Sequence, residues 1–170
     1  ISILIMNKLY FLLQKSSIDT INYNSLAEMD LLYDVFYSDI YIVINDILMG
    51  YNDGVNTDVP ILDFLWEISC AIEFIDKGER KTKIEITESD LYYELLLENE
   101  IVIISSNWSS NIGKIQYVEF RKMAVNFIFN STNILEDNCP FLLKNISYLS
   151  LKHKILSRVQ NNITKEDKTY

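Results

Sequence analysis

The sequence predicts an α+β protein, with an antiparallel sheet of about five to seven strands packed against a long central helix and C-terminal helices. Three observations carry this. Apolar residues alternate in short runs grouped as hairpins, first over residues 39–51 and again over residues 82–117. One unbroken helical pattern, residues 59–77, lies between the two groups. The last third of the 170 residues returns to apolar spacings of three and four.

The elements follow in order. Ten of the first 14 residues are apolar, but Lys8 interrupts them. The run is shorter than the roughly 20 residues a membrane span needs. It also has no positive start or small-residue cleavage site of a signal peptide. It is read as a core strand over residues 7–13. Met6 is the first methionine, so a natural start there would leave residues 1–5 ahead of it. In the first hairpin Ile40, Ile42 and Ile44 alternate with Tyr41 and Val43, Asn45-Asp46 makes the turn, and residues 47–51 return. Asn52-Asp53-Gly54 then breaks the strand.

In the central helix Asp58 is expected as the cap, Pro60 in the first turn and Gly78 at the end. Ile61, Phe64, Leu65, Ile68, Ile72 and Ile75 form one stripe for burial. Asp63, Glu67 and Cys70 fall on the opposite side, and Trp66 and Phe74 lie off the stripe. The second strand group reads as a meander: residues 82–86, 91–97, 101–106 and 112–117, with hairpin loop Glu98-Asn99-Glu100 and a Ser/Asn-rich turn over residues 105–111. Helices follow over residues 118–137 and 146–160, with Pro140 between them. Residues 1–160 form the expected single domain, and the polar residues 161–170 a tail.

Composition removes several kinds of chemistry. There are 25 Ile and 16 Asn against 3 Ala, 4 Gly and 2 Pro, the imprint of AT-rich coding. Four N-x-S/T matches, at Asn107, Asn130, Asn145 and Asn162, follow by chance from that much Asn. The single histidine, His153, sits between Lys152 and Lys154 on a solvent face, which leaves no imidazole for a nucleophilic triad. Cys70 and Cys139 are expected as buried or half-buried thiols of a reducing cytosol, with no zinc-ligand spacing and no disulfide framework. Gly50, Gly54, Gly78 and Gly113 are isolated, so no phosphate loop can be built from them. Asp53 and Asp58 flank Gly54 without the spacing of a calcium loop. No cofactor or metal is expected.

The charge is unevenly placed. The net charge is -9, from 15 Lys plus Arg and 24 Asp plus Glu. That balance argues against direct nucleic-acid binding. Residues 1–100 hold 19 acids and 6 bases, whereas residues 101–170 hold 5 acids and 9 bases. Residues 16–76 contain twelve acids and no Lys or Arg. Such a field steers basic partners and repels wrong ones. Aromatic residues interleave with it: Phe36 and Tyr41 are read as core, whereas Tyr37, Trp66 and Phe74 are equally suited to a contact surface. The contacts expected of such a surface are Asp30, Asp34, Asp39, Asp53, Asp63, Glu67 and Trp66.

The chain resembles immunity proteins of bacterial contact-dependent growth inhibition and related polymorphic toxin systems. The resemblance lies in the size and the acidic half, and in one order of elements over residues 37–135. That order is the hairpin of residues 40–51, the helix start Val59-Pro60-Ile61-Leu62-Asp63-Phe64, a hairpin ending Ile104-Ser105-Ser106-Asn107-Trp108, and a helix. It implies a small cytoplasmic protein that inhibits a basic toxin domain, a tRNase or DNase, encoded beside it. It also implies that a host translation factor can be reached through the toxin. It implies no particular site residues. The expected function is therefore a non-enzymatic toxin inhibitor, with no membrane contact. The alternatives are a carboxylate-based, metal-assisted hydrolase and an adaptor subunit that offers an edge strand or its C-terminal helix.

Overall fold

The computed structural model describes residues 6–11, 25–50, 58–87 and 89–160. The chain is α+β. Its described strands form two four-stranded antiparallel sheets, joined by a long helix and followed by C-terminal helices. In the first sheet β1 (Lys8–Phe11), β2 (Tyr37–Ile44) and β3 (Ile47–Leu48) lie side by side, and β4 (Asp58–Pro60) pairs with the start of β2. A short helix α1 (Glu28–Tyr33) precedes β2. Helix α2 (Ile61–Asp76) leads to the second sheet, β5 (Lys81–Glu85), β6 (Tyr92–Glu98), β7 (Ile101–Ser106) and β8 (Ser109–Gln116), a simple meander in chain order. Helix α3 (Tyr117–Asn138), a 3-10 turn (Pro140–Lys144) and helix α4 (Ile146–Gln160) complete the described chain.

Turn chemistry sets both hairpins. Asn45 and Asp46 have φ of 52° and 65°, and Asn99 and Glu100 have φ of 49° and 68°. Two successive left-handed residues twist a two-residue turn to match its strands, and Asn and Asp accept that conformation more readily than most residues. The β7–β8 turn is tighter than the sequence suggests. Only Asn107 and Trp108 turn, and Ser109 to Asn111 already belong to β8.

The start of α2 departs from expectation. Asp58 is not its cap, because it lies in β4 opposite Asp39 of β2. Pro60 occupies the cap position, and the Ile61 N–H donates to the Phe36 carbonyl at 3.0 Å. A backbone oxygen from the α1–β2 junction thus takes the donor that a capping side chain would otherwise satisfy. The end of α2 is as the sequence implies. Gly78 has φ of 101°, the Glu79 N–H donates to Phe74 and the Gly78 N–H to Ile75, the paired bonds that close a helix around a left-handed residue.

All six residues of the expected α2 stripe are buried, and α2 packs against α1, α3, α4 and β5. One apolar core runs through both sheets, from Leu9 and Phe11 of β1 to Ile104 of β7 and Val159 of α4. The sheets meet where β8 passes β2 and β3. Asn45 Nδ2 donates to the Lys114 carbonyl at 3.0 Å and Asn111 Nδ2 to the Leu48 carbonyl at 2.9 Å. Gly113 is required there: a Cβ on it would stand 2.8 Å from Ile44 Cβ and 2.9 Å from Met49 Sδ. The Trp108 indole N–H donates to the Gly50 carbonyl at the same junction. Cys139 is buried, Cys70 half-buried and His153 exposed. No helix among the described residues is long and apolar enough to cross a membrane.

Candidate functional site

The same alternation that buries Ser38, Ile40 and Ile42 turns Tyr37, Asp39 and Tyr41 to the other face of β2. Directly opposed residues of an antiparallel pair share a face. Asp58 of β4 faces Asp39, and Tyr10 of β1 faces Tyr41. The Tyr10 and Tyr41 rings stack with centroids 5.0 Å apart and planes 18° apart, and Lys8 Nζ lies 4.3 Å from the Tyr10 centroid. The outer face of the first sheet therefore carries three tyrosines and two carboxylates beside Val43, Leu48 and Pro60, with Lys8 at its margin.

Asp39 and Asp58 are like charges in register. Partial burial, and then the Asp39 charge, push the Asp58 carboxyl above the usual aspartate value. Burial and Asp39 likewise push the Tyr41 phenol up, with the Asp39 carboxylate as its hydrogen-bond acceptor. At the start of the same strand the Tyr37 hydroxyl donates to the Tyr33 carbonyl at 2.5 Å, which ties the face to the end of α1, where Asp34 is exposed. Tyr33 in turn lies near α2: burial raises its phenol, helped by the Asp63 and Glu67 charges. Tyrosines and carboxylates thus form a band from β4 across β2 to the end of α1, where Tyr33 lies within electrostatic reach of Glu67 on α2.

The expected contact residues divide between surface and interior. Asp34, Asp39 and Glu67 lie on this band. Asp30 turns back to accept the Ala27 N–H at 2.8 Å, anchoring the first turn of α1. Asp63 is only 4% exposed and accepts the Thr87 hydroxyl, so it underlies the band rather than facing a partner. Burial raises its carboxyl and the Thr87 bond partly offsets this. Glu67 is half-buried. Burial and the Asp63 charge raise it, while a backbone hydrogen bond from Glu85 and the Arg158 charge pull it down. Trp66 is half-buried, and the Arg158 guanidinium sits 3.6 Å from its ring centroid, so one ring face is occupied within the chain. Asp53 lies outside the described residues. Phe74, off the stripe as expected, is 50% exposed.

Sequence reasoning missed Asp58, Tyr10 and the outward face of Tyr41. The signal was present in the Tyr37-x-Asp39-x-Tyr41 alternation, which reads as an outer face once the isoleucines are given to the core.

Much of the charge imbalance closes inside the molecule. Arg121 of α3 pairs with Asp76 of α2 at 3.1 Å, Arg158 of α4 with Glu73 at 3.4 Å, and Lys154 of α4 with Glu28 of α1 at 2.9 Å. The basic third thus neutralises part of the acid-only stretch. No family model, no curated protein and no solved structure matches this chain.

Proposed function

We propose that this chain is an immunity protein that binds and neutralises a basic toxin domain, a tRNase or DNase, in the cytoplasm. The Asp39–Asp58 pair on a tyrosine-covered sheet face is the observation that carries this reading. Like charges set opposite each other work against folding, so a surface that keeps them favours a function that uses them. Tyrosines supply rigid contact area, and carboxylates match the Lys and Arg with which a nuclease holds phosphates. The mechanism is occlusion: the acidic face covers the toxin's substrate-binding surface and catalyses nothing itself. Association is fast and slows with salt, because long-range steering is screened.

The test is titration against the product of the adjacent gene, with nuclease activity and binding measured together. Stoichiometric loss of nuclease activity supports the reading. An active nuclease in the presence of excess bound inhibitor, or no binding, refutes it.

A further inference from the structure

A second surface adjoins this face at β1. β1 stands at the end of its sheet, and among the described residues it pairs with β2 alone. Its other edge borders a trough of ≈ 640 Å³ whose opposite wall is α3. The α3 lining recurs at helical spacing from Glu119 to Ile134. At about 1.5 Å per residue that is a wall of roughly 22 Å. An extended chain at about 3.3 Å per residue fills it with six or seven residues. The trough is therefore bounded by a backbone edge that is unpaired among the described residues, which suits a strand.

Its chemistry agrees. Met123 and Phe127 give an apolar floor, with Phe127 also edge-on to Phe11 of β1 at 6.0 Å. Exposed amides of Asn126 and Asn130 lie along the rim. Ser131, buried in the same wall, has a hydroxyl with no hydrogen-bond partner. Among the described lining residues Lys8 and Lys122 stand against one carboxylate, Glu119, a balance opposite to that of the chain.

We propose that this trough receives an extended segment of a partner protein. The segment adds as a strand to the edge of β1 that no described residue pairs. Its alternate apolar side chains rest on Met123 and Phe127, and one carboxylate lies near Lys8 and Lys122. Main-chain hydrogen bonds to β1 supply the affinity and the α3 wall supplies the selection. This surface shares Lys8 and Tyr10 with the acidic face, but the proposal does not rest on the toxin reading.

The test uses the full isotope-labelled chain and blocked hexapeptides of alternating valine and threonine, with one aspartate moved through each position. Amide shifts and exchange are followed by NMR. Peptide-dependent shifts and slowed exchange within Lys8–Phe11 are expected for at least one peptide. N-methylating that peptide at the pairing positions, or the exposed-site variant Asn126→Arg, should weaken binding about tenfold or more. Three results overturn the proposal: no peptide shifting β1 at millimolar concentration, full protection of both β1 edges in the free monomer, or a dimer in sedimentation with β1 protected, which would put a second copy in the trough.

Discussion

Asp39 of β2 and Asp58 of β4 face each other across an antiparallel pair, and partial burial, then the Asp39 charge, raises the Asp58 carboxyl. Tyr37 and Tyr41 lie on either side of Asp39 on that face.

Removing one charge should therefore help folding. Asp58→Asn is expected to raise stability by about 0.2–1 kcal/mol at neutral pH, toward the lower end because Asp58 is exposed to screening solvent. Urea denaturation of both proteins measures it. A loss of stability would mean that the Asp58 carboxylate has a folding role the repulsion does not outweigh.

The acids raised in the folded state set the pH dependence. Asp63, Glu67 and Asp58 all have carboxyls raised in the folded state. A raised acid binds its proton more tightly when folded, so its stabilising contribution is complete below the unfolded value, about 4. That contribution falls away as pH climbs through the folded value. Stability should thus decline on raising pH upward from about 4 through the range of these groups. Asp63→Asn retains an oxygen acceptor for the Thr87 hydroxyl and should flatten that decline without lowering stability at neutral pH. Thermal melts across the pH range, in constant ionic strength, read both effects.

Arg121 should matter far more than its surface counterparts. Its partner Asp76 has a side chain only 7% exposed, Tyr117 donates to the same carboxylate at 2.5 Å, and the guanidinium also reaches the Val159 carbonyl at 2.8 Å. One network thus joins α2, α3 and α4. Arg121→Met strands a buried carboxylate and should cost about 3 kcal/mol. Lys77→Met, at an exposed i,i+4 pair with Glu73, should cost less than about 0.5 kcal/mol. Chemical denaturation of the two variants, side by side, gives the ratio.

Gly113→Ala tests the junction of the sheets. Its new methyl would press on Ile44 and Met49 in a closed core, for a loss of about 1–3 kcal/mol. The junction is remote from the Asp39–Asp58 pair, so partner binding at saturating stability should be unchanged. Denaturation and binding measured on one preparation separate the two.

The fold was largely legible in the sequence because its signals are local. The 40, 42, 44 alternation, the stripe from Ile61 to Ile75, the left-handed turn residues and Gly78 each act within a few residues. The start of α2 was not, because the donor of Ile61 is satisfied by Phe36, 25 residues earlier, and Asp58 is drawn into a strand by β2. The acidic stretch was visible, but its division was not. Glu28 meets Lys154 only because α1 packs on α4, and Trp66 meets Arg158 only because α2 does. Asp63 shows the limit most plainly: helical spacing put it on the solvent side, but β5 and Thr87 cover that side.

The central claim is that the tyrosine and carboxylate face binds a basic partner. Stopped-flow association with the adjacent gene's product, at low and high salt, tests it with the wild type and with Asp39→Lys/Asp58→Lys. The wild type should associate fast and slow steeply with salt. The double reversal should lose about tenfold or more in on-rate at low salt and most of its salt dependence. An unchanged on-rate and salt slope in a folded double variant would contradict the account and place the partner elsewhere.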